Sequence, residues 1–380
     1  MRQWPFKIAI AGGRLQGTEA VYLAKKAGFK SILIDKDNKA PASGLCDEFY
    51  TFDVLKKEPG LIEVLKKADF ILPALENDEA LAALFEIACE HGLKLAFDKD
   101  AYTVTSSKIK SDKIIKENNI PAPRYYPLCE GPYIVKPSGE SGSAGVFFAA
   151  TDIDVRRFLE GKSDAENWIA QEYLAGPSYS IEIIGKPGMY RTYEITEIHM
   201  ADDYDCKMVT APCGLSAAKE KEFSGIAEKL AEIIGLCGIM DVEVIDHSGA
   251  LKVLEIDARI PSQTPMAVYH CTGVNLLSEL AELTVSGKLP AEKPKGRRYT
   301  AIEHYLVDET GVYNKGEHIM GEGGPLFYSE NFFGADEAVT DYEDGKYPWR
   351  GTFINSGETM GELEEKRLSM LKKLDGAGSR

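Results

Sequence analysis

Short apolar runs separated by longer amphipathic stretches set the pattern of the first hundred residues. Phe6-Lys-Ile-Ala-Ile-Ala-Gly12, Ser31-Ile-Leu-Ile-Asp35, Phe70-Ile-Leu-Pro73 and Leu93-Lys-Leu-Ala-Phe97 read as strands. Helices are predicted between them, near 17–27, 59–68 and 78–91. Strands alternating with helices make a parallel, doubly wound sheet. From 103 the pattern changes. A lysine-bearing helix starts at the Ser106-Ser107 cap, stops at Asn118-Asn119 and is broken by Ile120-Pro-Ala-Pro123. Short strands follow at 133–136, 145–148 and 168–174, then at 179–184, 190–199 and 205–210, before a helix at 219–235. A helix at 273–286, a β-rich tail and a charged helix near 358–374 complete the chain.

The most informative stretch is a hairpin. Asp241-Val-Glu-Val-Ile245 and Leu251-Lys-Val-Leu-Glu-Ile-Asp-Ala-Arg259 flank the turn Asp246-His-Ser-Gly-Ala250. Alternation puts Glu255, Asp257 and Arg259 on one face with Val253, and Leu254, Ile256 and Ala258 on the other. Asp241 and Glu243 share a face of the partner strand. Carboxylates so gathered repel one another unless something compensates. Either the face is solvated and carries ion pairs, or a hard divalent cation sits on it, and oxygen-only ligands suit Mg²⁺.

At 380 residues the chain exceeds one ordinary core, so two or three domains are expected. A net charge of −16 argues against nucleic acid or an anionic membrane as the main partner, but leaves room for a local pocket for a small anion. Seven scattered cysteines with no Cys-x-x-Cys pair fit reduced thiols in a cytoplasm. No signal-peptide core or membrane-length apolar run is visible, so a soluble cytoplasmic protein is expected.

Three loops carry further chemistry. Gly12-Gly-Arg-Leu-Gln-Gly17 with Asp35 is either a dinucleotide fingerprint of irregular spacing or a tight turn bordering a pocket. Val135-Lys136-Pro137 leads into the small-residue loop 138–145, whose amides can converge on an anion while the lysine adds a point charge. A flexible hairpin loop is the alternative there. Lys108, on the preceding helix, is a second phosphate candidate. Gln171-Glu-Tyr-Leu174 ends a strand before the Ala-Gly-Pro177 hinge, where backbone groups and an apolar slot can hold an adenine ring. Glu76 and Asn77 follow a strand's carboxyl end, where open α/β sheets bind ligands, and are candidates for contacting a first amino acid.

Taken in order, Lys108, Asn119-Ile-Pro-Ala-Pro123, Lys136 to Gly145, Glu172-Tyr-Leu174, Asp241-Val-Glu243 and Glu255-Ile-Asp-Ala-Arg259 resemble the ATP-grasp ligases over roughly residues 1–290. The resemblance implies an α/β protein with α+β character in its C-terminal part: a Rossmann-like domain (1–101), a small lid domain (102–175) and a large metal-binding domain with a β-rich extension (176–380). It implies an ATP-dependent carboxylate–amine ligase that works through an acyl phosphate and uses ATP and two Mg²⁺. Glu243, Glu255 and Asp257 would hold the metal; Arg259 and Lys136 would be catalytic. Lys108, Lys136 and the lid residues Glu140, Ser141 and Ser143 would contact phosphates, and Gln171, Glu172, Tyr173 and Leu174 adenine. Leu15 and Gln16, in the glycine turn, are further cofactor candidates. Ser178 stands where many members carry a ribose-binding Glu, which leaves Glu182 or water for that role. Asp257 replaces the more usual Asn.

Gly12-Gly-Arg-Leu-Gln-Gly17, Glu140-Ser-Gly-Ser143, Asp205-Cys-Lys207 and Glu255 to Pro265 look like the pyrrolysine-biosynthesis branch of the family. That likeness implies that 3-methyl-D-ornithine is joined to the ε-amine of L-lysine. Asp202, Asp203 and Asp205 are then candidates for the lysine pocket, against the alternative of a solvated acidic loop. Ser262, Gln263 and Thr264, with Arg259, are candidates for the reacting carboxylate. Expected partners are small amino acids, with no nucleic acid or membrane, and a homodimer is left open. Competing readings are a D-alanine–D-alanine-type or carbamoyl-phosphate-like ligase, an NAD-dependent oxidoreductase, and a non-catalytic nucleotide-binding regulator. The segment 297–355 carries no interpretable motif.

Overall fold

In the computed structural model, residues 5–140, 142, 145–201, 204–291 and 297–378 are described. Among these, strands form three sheets. The leading sheet is parallel, with Glu48–Thr51, Lys30–Asp35, Lys7–Ala11 and Phe70–Pro73 in that spatial order. Its central strands are buried on both faces, which is why they read as unbroken apolar runs. The expected strand at 93–97 is reduced to one bridge, Ile71 to Leu95. It ends early because Asp98 caps the helix Lys99–Thr105, accepting from the amides of Asp100 and Ala101.

The second sheet is small and antiparallel: Phe147–Ala149, Tyr133–Pro137 and Trp168–Glu172. The third has eleven strands and runs from the carboxylate hairpin at one edge to the C-terminal strands at the other. The segment 297–355, unreadable in sequence, belongs to this sheet: Tyr299–Asp308 pairs with Cys206–Ala211 on one side and Trp349–Gly357 on the other. The strand expected at 190–199 is two, Met189–Thr192 and Thr196–Met200, both paired with the long strand Ser178–Lys186. Helices at Asp152–Glu160 and Thr264–Thr272 and the strand Glu48–Thr51 were not foreseen.

The hairpin pairs Gly238–His247 with Ala250–Asp257. Ser248 and Gly249 both have positive φ, +53° and +88°, as a two-residue turn matched to strand twist requires. One expectation fails here. A bulge between Glu243 and Val244 leaves Leu254 unpaired, so Val253 lies with Ile256 and Ala258 in the core rather than beside the carboxylates. The extra residue resets the alternation, keeping apolar side chains inward on both sides of it.

Candidate active site

Two glycines build the first edge of the site. A Cβ on Gly12 (φ +103°) would stand 2.4 Å from the Ala74 carbonyl oxygen, and one on Gly17 2.1 Å from that of Gly12. Only glycine allows this approach. Asp35 accepts from the Gly13 amide at 2.7 Å and the Asp37 amide at 2.8 Å, so its carboxylate closes the turn itself. The motif is a tight turn, and Leu15, Gln16 and Asp35 face a cavity beside it.

That cavity, of about 900 Å³, lies between the leading sheet and the hairpin. Its walls include Glu76, Asp205, Asp241, Glu243, Glu255, Asp257, Arg259, Ser262, Gln263 and Thr264. Eleven carboxylate residues line it, against Arg14, Lys36, Arg259 and one histidine. On the hairpin, Glu243 stands directly opposite Glu255, and Asp241 opposite Asp257. Burial, then the facing Glu255, pushes Glu243 up to about 7. Burial raises Asp257 to about 6 against the pull of Arg259, and raises Asp241 strongly, with Asp257 adding to it.

Protein cations hold two of these carboxylates. Lys108 Nζ is 2.8 Å from Glu255, and Arg259 Nε is 2.8 Å from Asp257. Arg259 also reaches Glu76 at 2.8 Å, and Gln16 donates to the same Glu76 oxygen at 2.5 Å. The leading sheet is thereby tied to the hairpin through two charged residues. With their carboxylates so engaged, no three acidic, His or Cys side chains among the described residues converge into a ready metal cage. The donor set nevertheless suits Mg²⁺: hard oxygens, a like-charge pair, and a buried Asp257 Oδ1 without a hydrogen-bond partner.

Lys108 and Lys136 meet through an unexpected cap. Ser107 occupies the helix N-cap but its hydroxyl makes no capping bond. Ser138, just past the strand Tyr133–Pro137, does this instead: its hydroxyl accepts from the Ile109 amide at 3.1 Å and its carbonyl from the Lys108 amide at 2.9 Å. Lys136 is buried, which lowers its pKa, while Glu255 pulls it back up. Lys108 is buried and also donates to the Glu140 carbonyl at 2.5 Å. Asp112, one turn along, is pushed to about 7 by burial.

At the hinge, Glu172 accepts from Arg124 (Nε, 3.1 Å) and Lys252. The Glu172 and Tyr173 amides are spent on the carbonyls of Arg124 and Pro132. Gln171 is paired within its strand. Leu174 is buried, and Phe148 meets Tyr173 edge-to-face at 5.5 Å. Ser178 lies opposite Ile245 on the inner hairpin strand. Glu182 sits opposite Asp241, fully buried, raised to about 7 by burial against the Thr264 hydroxyl, and is not part of the cavity wall. Asn77 lines the cavity but spends its side-chain oxygen capping the helix Asp78–His91. Ser141, Ser143, Asp202 and Asp203 lie outside the described residues.

Sequence reasoning missed Glu317 and His318, brought in by the segment it could not interpret. Ser262 donates to Glu317 at 2.7 Å, and His318 meets Asp205 at 2.7 Å. It also missed the shell behind Gln263. The Gln263 side chain accepts from His304 at 2.7 Å, and its amide donates to Glu19 at 3.2 Å. No local signal marks these residues, since each acts on a strand distant in sequence.

Residues 105–263 match the ATP-grasp domain family. The chain is 36% identical over 376 residues to the 3-methyl-D-ornithine–L-lysine ligase of Methanosarcina barkeri, covering 97% of this chain and 99% of that one. With the Methanosarcina mazei enzyme of the same name the identity is 38%, with 98% and 97% covered. Among solved structures, the biotin carboxylase domain of Hydrogenobacter thermophilus 2-oxoglutarate carboxylase, in complex with MgADP, ADP and bicarbonate, superposes with a TM-score of 0.75 at 14% identity, covering 97% of this chain and 90% of that one. N5-carboxyaminoimidazole ribonucleotide synthetase from Thermotoga maritima gives 0.69 at 19% identity, with 97% and 98% covered.

Proposed function

The chain belongs to the family of the 3-methyl-D-ornithine–L-lysine ligases within the ATP-grasp superfamily, and on that premise we propose that it joins these two amino acids with ATP. The observation that carries the reading is the acidic cavity running up to the hairpin. Both substrates are dibasic, so each brings two ammonium groups that carboxylates can hold, and one carboxylate for a cation such as Arg259. An oxidoreductase reading has no comparable support, because Asp35 is consumed by its own turn.

A carboxylate is a poor acyl donor because oxide must leave. Transfer of the γ-phosphoryl group of ATP onto it gives an acyl phosphate, whose leaving group is phosphate. An amine then attacks and an amide forms, with ADP and phosphate released. Positioning and charge neutralisation carry such a reaction. Lys108 and Lys136 supply fixed positive charge for ATP phosphates, and Arg259 for the group in transit. The Leu174 amide, the hinge donor left after its neighbours pair, is the candidate for adenine. Glu243, Glu255 and Asp257 would hold Mg²⁺, which when bound neutralises phosphate charge. We take two ions as part of the proposal. The loop 138–145 would exclude the water that otherwise hydrolyses an acyl phosphate. Division of the chain at 101 and 175 into leading, lid and metal-binding parts belongs to the same proposal.

The test is direct. The protein is incubated with ATP, Mg²⁺, 3-methyl-D-ornithine and lysine, and the products are weighed. An amide of the two amino acids with stoichiometric ADP is expected; ADP without amide, or no turnover, defeats the reading.

A further inference from the structure

His318 sits where three separate parts of the chain meet over the cavity. It belongs to the short turn Glu317–Gly321 of the C-terminal extension, and it lines the cavity. Its Nδ1 is 2.7 Å from Asp205 Oδ1, at the entrance to the strand Cys206–Ala211. A Cβ on Gly316 would lie 1.7 Å from the Asp205 carboxyl carbon, so glycine there is what lets the carboxylate reach the ring. The third part is the lid loop. A Cβ on Gly142 would stand 2.7 Å from His318 Nε2, so this edge of the ring packs against Gly142, and both residues line the cavity. Among the described residues Nε2 has no hydrogen-bond partner.

A carboxylate only accepts, so Asp205 keeps the proton on Nδ1 and leaves Nε2 as the basic nitrogen of a ring that lines the cavity. A lysine ε-amine arrives as an ammonium ion, with a pKa of about 10.4 in water, and cannot attack until it loses a proton. We propose that His318 is the base that takes this proton and that Asp205 is the residue that positions it. This rests on the ligase reading. The ammonium gives one proton to Nε2, and the freed lone pair forms the N–C bond to the acyl phosphate. The C–O bond to phosphorus then breaks, and the second proton leaves with the departing phosphate as HPO4²⁻. The imidazolium, on a half-exposed ring, returns its proton to solvent. Three carboxylates face the ring: Asp205, its own neighbour Glu317, and Glu76 from the leading sheet. Their effect, led by the Asp205 hydrogen bond, holds the imidazole above its usual value against partial burial. That strengthens it as a base for an amine acceptor.

The experiment compares two amines in the wild type and in His318→Gln. Each is supplied with ATP, Mg²⁺ and 3-methyl-D-ornithine. Lysine needs a base; hydroxylamine, unprotonated at neutral pH, traps the acyl phosphate as a hydroxamate without one. The ratio of lysine ligation to hydroxamate formation is expected to fall about 100-fold in the variant, the usual worth of a general base. In Asp205→Asn, the acidic limb of the lysine pH–rate profile is expected to move to lower pH, since the group that raises His318 is gone. A purely structural role would not shift that limb. A ratio in His318→Gln equal to that of the wild type overturns the assignment, and so does an acidic limb that stays in place in Asp205→Asn. If the wild type forms hydroxamate but no lysine amide, the choice of lysine fails first; if it forms neither, the ligase reading fails, and this inference falls with it.

Discussion

The phosphate end of the site and the amino-acid cavity handle charge in opposite ways. At the end proposed for ATP phosphates, two lysines, Lys108 and Lys136, are buried. In the cavity proposed for the amino acids, eleven carboxylate residues stand against three permanent cations. The hairpin lies between, with Lys108 holding Glu255 on one side and Arg259 holding Asp257 on the other. A charge buried without its counterpart is costly. Here each end is left incompletely neutralised, and in the proposed reaction the reactants supply what is missing. The difference teaches that one hairpin can serve both ends because its carboxylates are shared by cations from opposite sides.

The largest expected break comes from the shared element. Glu255→Ala removes the partner of Lys108 and a proposed metal ligand together, and amide formation should fall by about 10³-fold or more. Retained turnover would remove the hairpin from the chemistry. Lys136→Ala should act on the phosphate end alone, raising the KM for ATP about 10- to 100-fold while the KM for either amino acid stays within about twofold. Equal effects on all three substrates would erase the distinction between the two ends.

The two ends also differ in how legible they were. Lys136, Glu255, Asp257 and Arg259 stand out as candidates in sequence because each sits in a local pattern, a strand before a glycine loop or an alternating strand after a tight turn, whereas Lys108, on a helix, is marked only by the family resemblance. Even there the bulge at Leu254 moved Val253 to the core, which alternation alone cannot foresee. The true cap of the Lys108 helix was hidden too, because Ser138 reaches it from a different sheet. The far wall of the cavity was not readable. Glu317 and His318 on the wall, like His304 and Glu19 behind Gln263, sit in no recognisable motif, and only the eleven-stranded sheet brings the C-terminal segment against Asp205 and Ser262. Long-range register, rather than residue type, makes that wall.

Smaller effects sharpen the cavity side. Ser262→Ala frees Glu317 from its 2.7 Å hydrogen bond and should raise the KM of one amino acid by about three- to tenfold, leaving that of ATP unchanged. Steady-state kinetics with each substrate varied in turn would show it. The smallest effect is on stability. Glu19, buried behind Gln263, is raised by burial to about 8, above its unfolded value of 4.5. The folded state therefore favours its neutral form, and the native protein loses stability as pH rises from the unfolded value through the folded one. Glu19→Gln removes that dependence. Its stability relative to wild type should improve with pH at up to about 1.4 kcal/mol per unit between roughly pH 5 and 8. Denaturant melts at several pH values would read this, and parallel curves for the two proteins would place a different group there.

The central claim is that phosphoryl transfer to a substrate carboxylate happens where the hairpin joins the two ends. It is tested most directly with 3-methyl-D-ornithine carrying ¹⁸O in its carboxylate, turned over with ATP, Mg²⁺ and lysine. Passage through an acyl phosphate predicts one labelled oxygen in the inorganic phosphate for every amide formed. Amide formed with unlabelled phosphate, or with the label in AMP, would contradict it.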